Sequence, residues 1–149
     1  MKEPEEPAAG SAVGAAAAAP RSHTLTLRVP YAHTDAMGVV YYANYLVYFE
    51  MARSALLREA GLPYGELERR GVHLPVVEAH CAYYRPARFD ELLAVHTRCA
   101  ALRGARLRIE YEITRDGERL AAGYTEHVCM SPQGRPLRPT PEVRRLAGA

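Results

Sequence analysis

Asp35 stands in a short loop, Thr34-Asp35-Ala36-Met37-Gly38, that runs straight into the aromatic segment Val39-Val40-Tyr41-Tyr42-Ala43-Asn44-Tyr45. A carboxylate in such a loop can attack a carbonyl carbon or take a proton from the water that does. A helix opening just after it would offer first-turn N–H groups with no intrahelical partner, suited to an oxygen that gains negative charge. The plainer role for Asp35 is an Asx turn closing its own loop, and residue types alone do not separate the two. Gly38 supplies a positive φ for the tight turn or lets backbone approach a substrate closely. Asn44 caps or orients the helix start, with a contact to substrate as its other reading. Tyr31 and His33 flank the acid on its other side.

The element that must position these groups is a helix opening at Tyr42. Leu46, Phe49, the stem of Arg53, Leu56 with Leu57, and Ala60 recur at three- and four-residue steps. Gly61 and Pro63 supply the stop. Its first two turns are apolar nearly all round, which predicts burial on most sides.

Before it, Leu25, Leu27 and Val29 alternate with polar residues as a half-buried strand ended by Pro30. After it comes a short helical turn over Pro63 to Arg70, then strand signals over Val72–Tyr84, Glu91–Ala101, a third in which Leu107, Ile109, Tyr111 and Ile113 alternate with polar residues, and Glu118–Met130. Asp116-Gly117 marks a hairpin between the last two. Pro141 to Leu146 reads as a short closing helix. One long helix beside a run of antiparallel strands is an α+β pattern in which a sheet wraps a helix.

Bulk properties bound the rest. At 149 residues the chain makes one domain, residues 21–149, behind an Ala/Pro-rich tail over 1–20 that reads as disordered, although Ala15 to Ala19 can turn helical. A net charge of +2 gives no nucleic-acid footprint. No apolar run is long enough for a membrane span, and the acidic start is unlike a secretory leader. Cys81, Cys99 and Cys129 form no CxxC pair and read as free thiols of a reducing compartment, so a cytoplasmic location is expected.

Other chemistries find no support. The four serines occupy no GxSxG elbow, the six histidines show no HxH or HExxH spacing, and no P-loop is present. No metal site is expected. Glu78, His80 and His127 lie on strand segments, either lining a pocket or facing solvent.

The run Tyr31-x-x-Thr34-Asp35-x-x-Gly38-Val39-Val40-x-Tyr42-x-Asn44-Tyr45-Leu46, followed by Phe49, Glu50 and Ala52-Arg53, resembles the signature of the hotdog-fold acyl-CoA thioesterases, the group of 4-hydroxybenzoyl-CoA thioesterase and its small bacterial relatives. Leu74-Pro75-Val76, Tyr84-x-Pro86-Ala87 and Asp90 are similar as well, and the likeness spans roughly Leu25 to Met130.

The resemblance implies an antiparallel sheet wrapped around one long central helix and hydrolysis of an acyl-CoA to free acid and coenzyme A. It gives Asp35 the part of nucleophile or general base, and the backbone N–H of Tyr42 that of oxyanion donor. Many relatives carry histidine where this chain has Tyr42, which favours a mechanism run by the aspartate alone. Tyr31 matches a position near the catalytic pocket, with core packing as the equal alternative. Arg85 and Arg88 match positions that contact coenzyme A phosphates, with surface ion pairing as the plain alternative. No cofactor is implied beyond the coenzyme A of the substrate, and a homodimer or homotetramer with sites at the subunit interface is expected.

Two other functions fit the same residues less well. A hotdog hydratase or dehydratase usually pairs its aspartate with a following histidine, and here only His33 precedes Asp35. A non-catalytic acyl-CoA-binding protein would not need Asp35. Tyr41, Tyr45, Tyr48 and Tyr83 suit an aryl or a fatty acyl pocket equally, which leaves the acyl group open.

Overall fold

Residues 20–148 are described in a computed structural model; the tail expected over the first twenty residues falls almost wholly outside them. Five strands, β1 (Ser22–Arg28), β2 (Val76–Tyr83), β3 (Leu92–Arg103), β4 (Arg106–Arg115) and β5 (Glu118–Val128), form one antiparallel sheet in the order β1-β3-β4-β5-β2. Helix α1 (Asn44–Glu59) lies across one face, with short helices α2 (Tyr64–Arg69) and α3 (Pro141–Leu146) at its margins. This is the α+β hotdog arrangement, a sheet wrapped on one long helix.

The strands follow their alternation. Leu93, Val95 and Cys99 of β3 and Leu107, Ile109, Tyr111 and Ile113 of β4 point into the core against Phe49, Ala52, Leu56 and Leu57 of α1. The β4–β5 hairpin closes through Asp116 and Gly117, both with φ positive (50° and 78°), as a two-residue turn requires. The strand expected from Val72 to Tyr84 forms only from Val76. Val72 is buried, His73 pairs with Met130 in an isolated bridge, and Pro75 has no N–H to give a ladder. β2 and β5 then approach so closely that a Cβ on Gly123 would overlap the His80 carbonyl.

Two expectations about α1 change. It opens at Asn44 rather than Tyr42, after a turn in which Asn44, Tyr45 and Leu46 donate to the carbonyls three residues back. It is also buried on one side only. The inward stripe runs through Tyr45, Tyr48, Phe49, Ala52, Arg53 and Leu56, whereas Leu46, Val47 and Met51 are exposed. Beyond them the sheet ends in β2, whose Val76, Val77 and Tyr83 are exposed too. The other edge, β1, presents Ser22, Thr24, Thr26 and Arg28 to solvent. The apolar all-round start of the helix therefore signals a surface left uncovered in one chain, not a deeper burial.

Candidate active site

The Asp35 loop folds back on itself. Thr34 bridges Val40, Asp35 N–H donates to the Val39 carbonyl at 2.9 Å, and Gly38, at φ 76°, returns an N–H to the Asp35 carbonyl. One carboxylate oxygen, Oδ1, accepts the Met37 N–H at 2.8 Å and lies 3.5 Å from Val39 N. That is the Asx turn, and it occupies one oxygen. The other, Oδ2, has no protein partner among the described residues, and the residue is only half-buried.

The loop is clamped to the helix start through one carbonyl. His33, in a 3-10 turn over Tyr31–His33, accepts the Tyr41 N–H at 2.9 Å and the Asn44 side-chain amide at 3.0 Å. Asn44 therefore orients the helix start. The His33 ring meets Tyr48 Oη at 3.0 Å. On the far side, Val39 bridges Arg88, Val40 N–H donates to the Ala87 carbonyl, and Ala87 N–H donates to Tyr45 Oη at 3.1 Å. The Tyr31-to-Leu46 run and the Tyr84-to-Ala87 run, distant in sequence, are thus one assembly.

The turn that moves the helix start also decides which donors remain. Bonds to Tyr41, Tyr42 and Ala43 carbonyls use the amides of Asn44, Tyr45 and Leu46. The amides of Tyr42 and Ala43 are left without a protein acceptor among the described residues. The free N–H groups of a helix start are displaced here by two residues toward the acid loop.

Other expected positions sort differently. Tyr31 is 75% exposed with its ring edge-on to Phe89, which excludes core packing. Arg85 pairs with Glu118 at 3.3 Å, whereas the Arg88 guanidinium joins no ion pair among the described residues. His127 neither lines a pocket nor meets solvent: it is wholly buried, between Thr125 Oγ1 at 2.8 Å and the Leu74 carbonyl at 2.9 Å. Burial lowers its pKa to about 4. Glu78 and His80 lie on the outer sheet face around Tyr124. That face carries a groove of about 740 Å³ lined by His80, one of the strand residues expected to line a pocket or face solvent, with Tyr84, Arg98, Arg108 and Glu110 among others, and it holds neither Asp35 nor Tyr42. Among the described residues no three His, Cys, Asp or Glu side chains cluster to hold a metal, and no helix is long and apolar enough to cross a membrane.

Sequence reasoning misses what two polar side chains do. Arg53, buried in α1, donates to Tyr64 Oη at 2.6 Å and Tyr111 Oη at 3.0 Å, whereas helical spacing accounts only for its stem. Tyr83, grouped by sequence only with the acyl-pocket aromatics, donates its hydroxyl to the Tyr42 carbonyl at 2.9 Å. Its place beside the helix start is set by strand pairing, which no local pattern records.

A family model described as the thioesterase-like superfamily matches residues 29–146. The chain belongs to that superfamily. Within it, this thioester hydrolase is 37% identical over 105 residues to the Bacillus subtilis protein named "Putative acyl-CoA thioesterase YneP", covering 70% of this chain and 76% of that one. It is 31% identical over 116 residues to 1,4-dihydroxy-2-naphthoyl-CoA hydrolase of Synechococcus elongatus, covering 76% and 85%. A crystal structure of a hypothetical protein from Thermus thermophilus superposes with a TM-score of 0.78 at 42% identity, covering 83% of this chain and 95% of that one.

Proposed function

We propose that this thioesterase hydrolyses an acyl- or aroyl-CoA, with Asp35 as nucleophile or general base and the Tyr42 N–H as oxyanion donor. The observation that carries this is unspent capacity on two connected segments: Oδ2 of Asp35, and the amides of Tyr42 and Ala43 on the turn clamped to the His33 carbonyl, all without a protein partner among the described residues. The oxygen of water, activated by the carboxylate or arriving after it, ends on the acyl carbon. The C–S bond breaks, and the thiolate leaves with its electron pair and takes up a proton. A thiolate is a good leaving group, so a positioned carboxylate and an oxyanion site suffice without metal or cofactor.

Arg88, free of ion pairs among the described residues, is the better phosphate contact; Arg85 must first leave Glu118. Tyr31 and Gly38 stand exposed beside the acid for substrate contact, and Asn44 acts by fixing the helix start. The apolar strip of Leu46, Val47, Met51, Val76 and Val77 supports association of copies along β2, and sedimentation should show a dimer or tetramer.

The deciding experiment follows thiol release from acetyl-, hexanoyl-, palmitoyl- and benzoyl-CoA. Asp35→Asn, which can keep the Oδ1 bonds, should lower kcat about a hundredfold or more with the melting midpoint unchanged. Equal turnover in the variant would reduce Asp35 to its Asx turn.

A further inference from the structure

The Tyr42 carbonyl accepts two hydrogen bonds, from the Tyr45 amide at 3.3 Å and from Tyr83 Oη at 2.9 Å. That carbonyl belongs to the same peptide unit as the Ala43 N–H, one of the two amides at the helix start left without an acceptor among the described residues. An acceptor bond at the oxygen of an amide draws electron density toward it and makes the N–H of that amide a stronger donor. It also fixes the rotation of the planar unit, and so the direction of the N–H.

We propose that Tyr83 is a positioning residue for thioester hydrolysis: its hydroxyl holds and polarises the Tyr42–Ala43 peptide, making Ala43 N–H a second oxyanion donor beside Tyr42 N–H. The proposal rests on the thioesterase reading above and deepens it at the same site.

The surroundings of Tyr83 fit this task. It ends β2, paired with Ala121 of β5, so its backbone is tied to the sheet and not to the acid loop. Its ring stands edge-on to Tyr45, with centroids 5.0 Å apart and planes at 85°, and edge-on to Tyr42 at 6.5 Å. Tyr45 is itself buried and held through its hydroxyl by Ala87 N–H. Two aromatic faces thus aim the phenol at one carbonyl. Desolvation, aided by Cys81 beside it, raises the phenol's pKa well above its ordinary value, so it remains a donor through the working pH range. Simple packing of strand edge to helix would need the ring and not the hydroxyl, which gives the test its handle.

Tyr83→Phe keeps every ring contact and removes the one bond. The measurement is thiol release from hexanoyl-CoA and benzoyl-CoA by wild type, Tyr83→Phe and Asp35→Asn, with the Ala43 amide proton followed by NMR in the free proteins. Tyr83→Phe should lower kcat about tenfold, less than deletion of a direct oxyanion donor, with KM within about twofold. The melting midpoint should hold, and the Ala43 amide proton should move upfield while that of Gly38 stays. Unchanged kcat, or a loss of kcat with the Ala43 resonance unmoved, overturns the proposal. Full activity in Tyr83→Phe beside an inert Asp35→Asn removes Tyr83 alone. A wild type inert on both thioesters removes the thioesterase reading and this proposal with it.

Discussion

The start of α1 and its middle treat polar groups in opposite ways. In the middle, the Arg53 guanidinium can only donate and the Leu74 carbonyl can only accept, so everything between them is oriented. Arg53 donates to Tyr111 Oη, Tyr111 to Thr125 Oγ1 at 2.6 Å, Thr125 to His127 Nε2, and His127 Nδ1–H to Leu74. The imidazole is thereby held neutral in one tautomer, and both its nitrogens are used. At the helix start, by contrast, a carboxylate oxygen and two amides have no protein partner among the described residues. Residue type points the wrong way here: arginine and histidine look more reactive than a backbone amide, yet they are the groups already spent. Hydrogen-bonding capacity is left over at the helix start and not in its middle.

The sharpest separation of the two regions comes from removing the charge in the middle. Arg53→Met keeps the apolar stem, removes the partner of the part-buried Tyr64 hydroxyl and leaves the buried Tyr111 hydroxyl with its bond to Thr125 alone. Losing two charge-assisted hydrogen bonds, offset by no longer burying a charge, should destabilise the protein by about 3 kcal/mol in urea unfolding. At equal folded concentration kcat should stay within about threefold of wild type, because the chain of bonds ends at Leu74 and not at Asp35. A hundredfold loss of kcat in the folded variant would mean that the middle of the helix takes part in the chemistry, and the contrast would collapse.

What the sequence reveals divides along the same line. The helix, the alternating strands, the Asp116-Gly117 hairpin and the Asp35 loop are legible because each is written in local spacing. His127 is not. It shares a face of β5 with Thr125, two polar residues that suit either side of the sheet, and only the packing of α1 decides that this face is the core. The uncovered side of α1 is hidden for a related reason, since a helix with an apolar side left exposed and a helix sunk in its own core carry the same apolar pattern. The free amides of Tyr42 and Ala43 leave no trace in residue type at all. They follow from bonds reaching three residues back ahead of the helix, which no helix signature records.

A smaller effect tests how firmly the polar chain holds its protons. His127 has its pKa lowered to about 4 by burial, against about 6.5 when unfolded. The unfolded chain therefore binds the extra proton first, and stability falls as pH drops below 6.5 until the folded state is protonated near 4. Between pH 7 and pH 5 the loss should be about 2 kcal/mol. Above this window His127 contributes no slope. His127→Gln, which does not titrate, should unfold at a nearly constant urea midpoint across the same range. Glu126, held between Arg106 and Arg108, has its pKa lowered by those guanidinium groups and acts below this range. An equal slope in wild type and His127→Gln would show that His127 is protonated without breaking its bonds.

Gly38 gives the smallest effect and the finest cut between loop geometry and substrate contact. Its φ of 76° is in the left-handed region, while a Cβ there would meet no atom within 4 Å. Gly38→Ala is therefore penalised by backbone conformation alone, about 1 kcal/mol of stability. In the free protein the added methyl occupies open space, so any further consequence must come from what arrives during catalysis. If Gly38 serves only the turn that carries Asp35, KM should stay within about twofold, and Gly38→Asn, a residue that tolerates this region, should recover most of the lost stability. A KM raised about tenfold in both variants would instead show the substrate passing close to the Gly38 backbone, on the same exposed side of the loop as the free carboxylate oxygen is proposed to work.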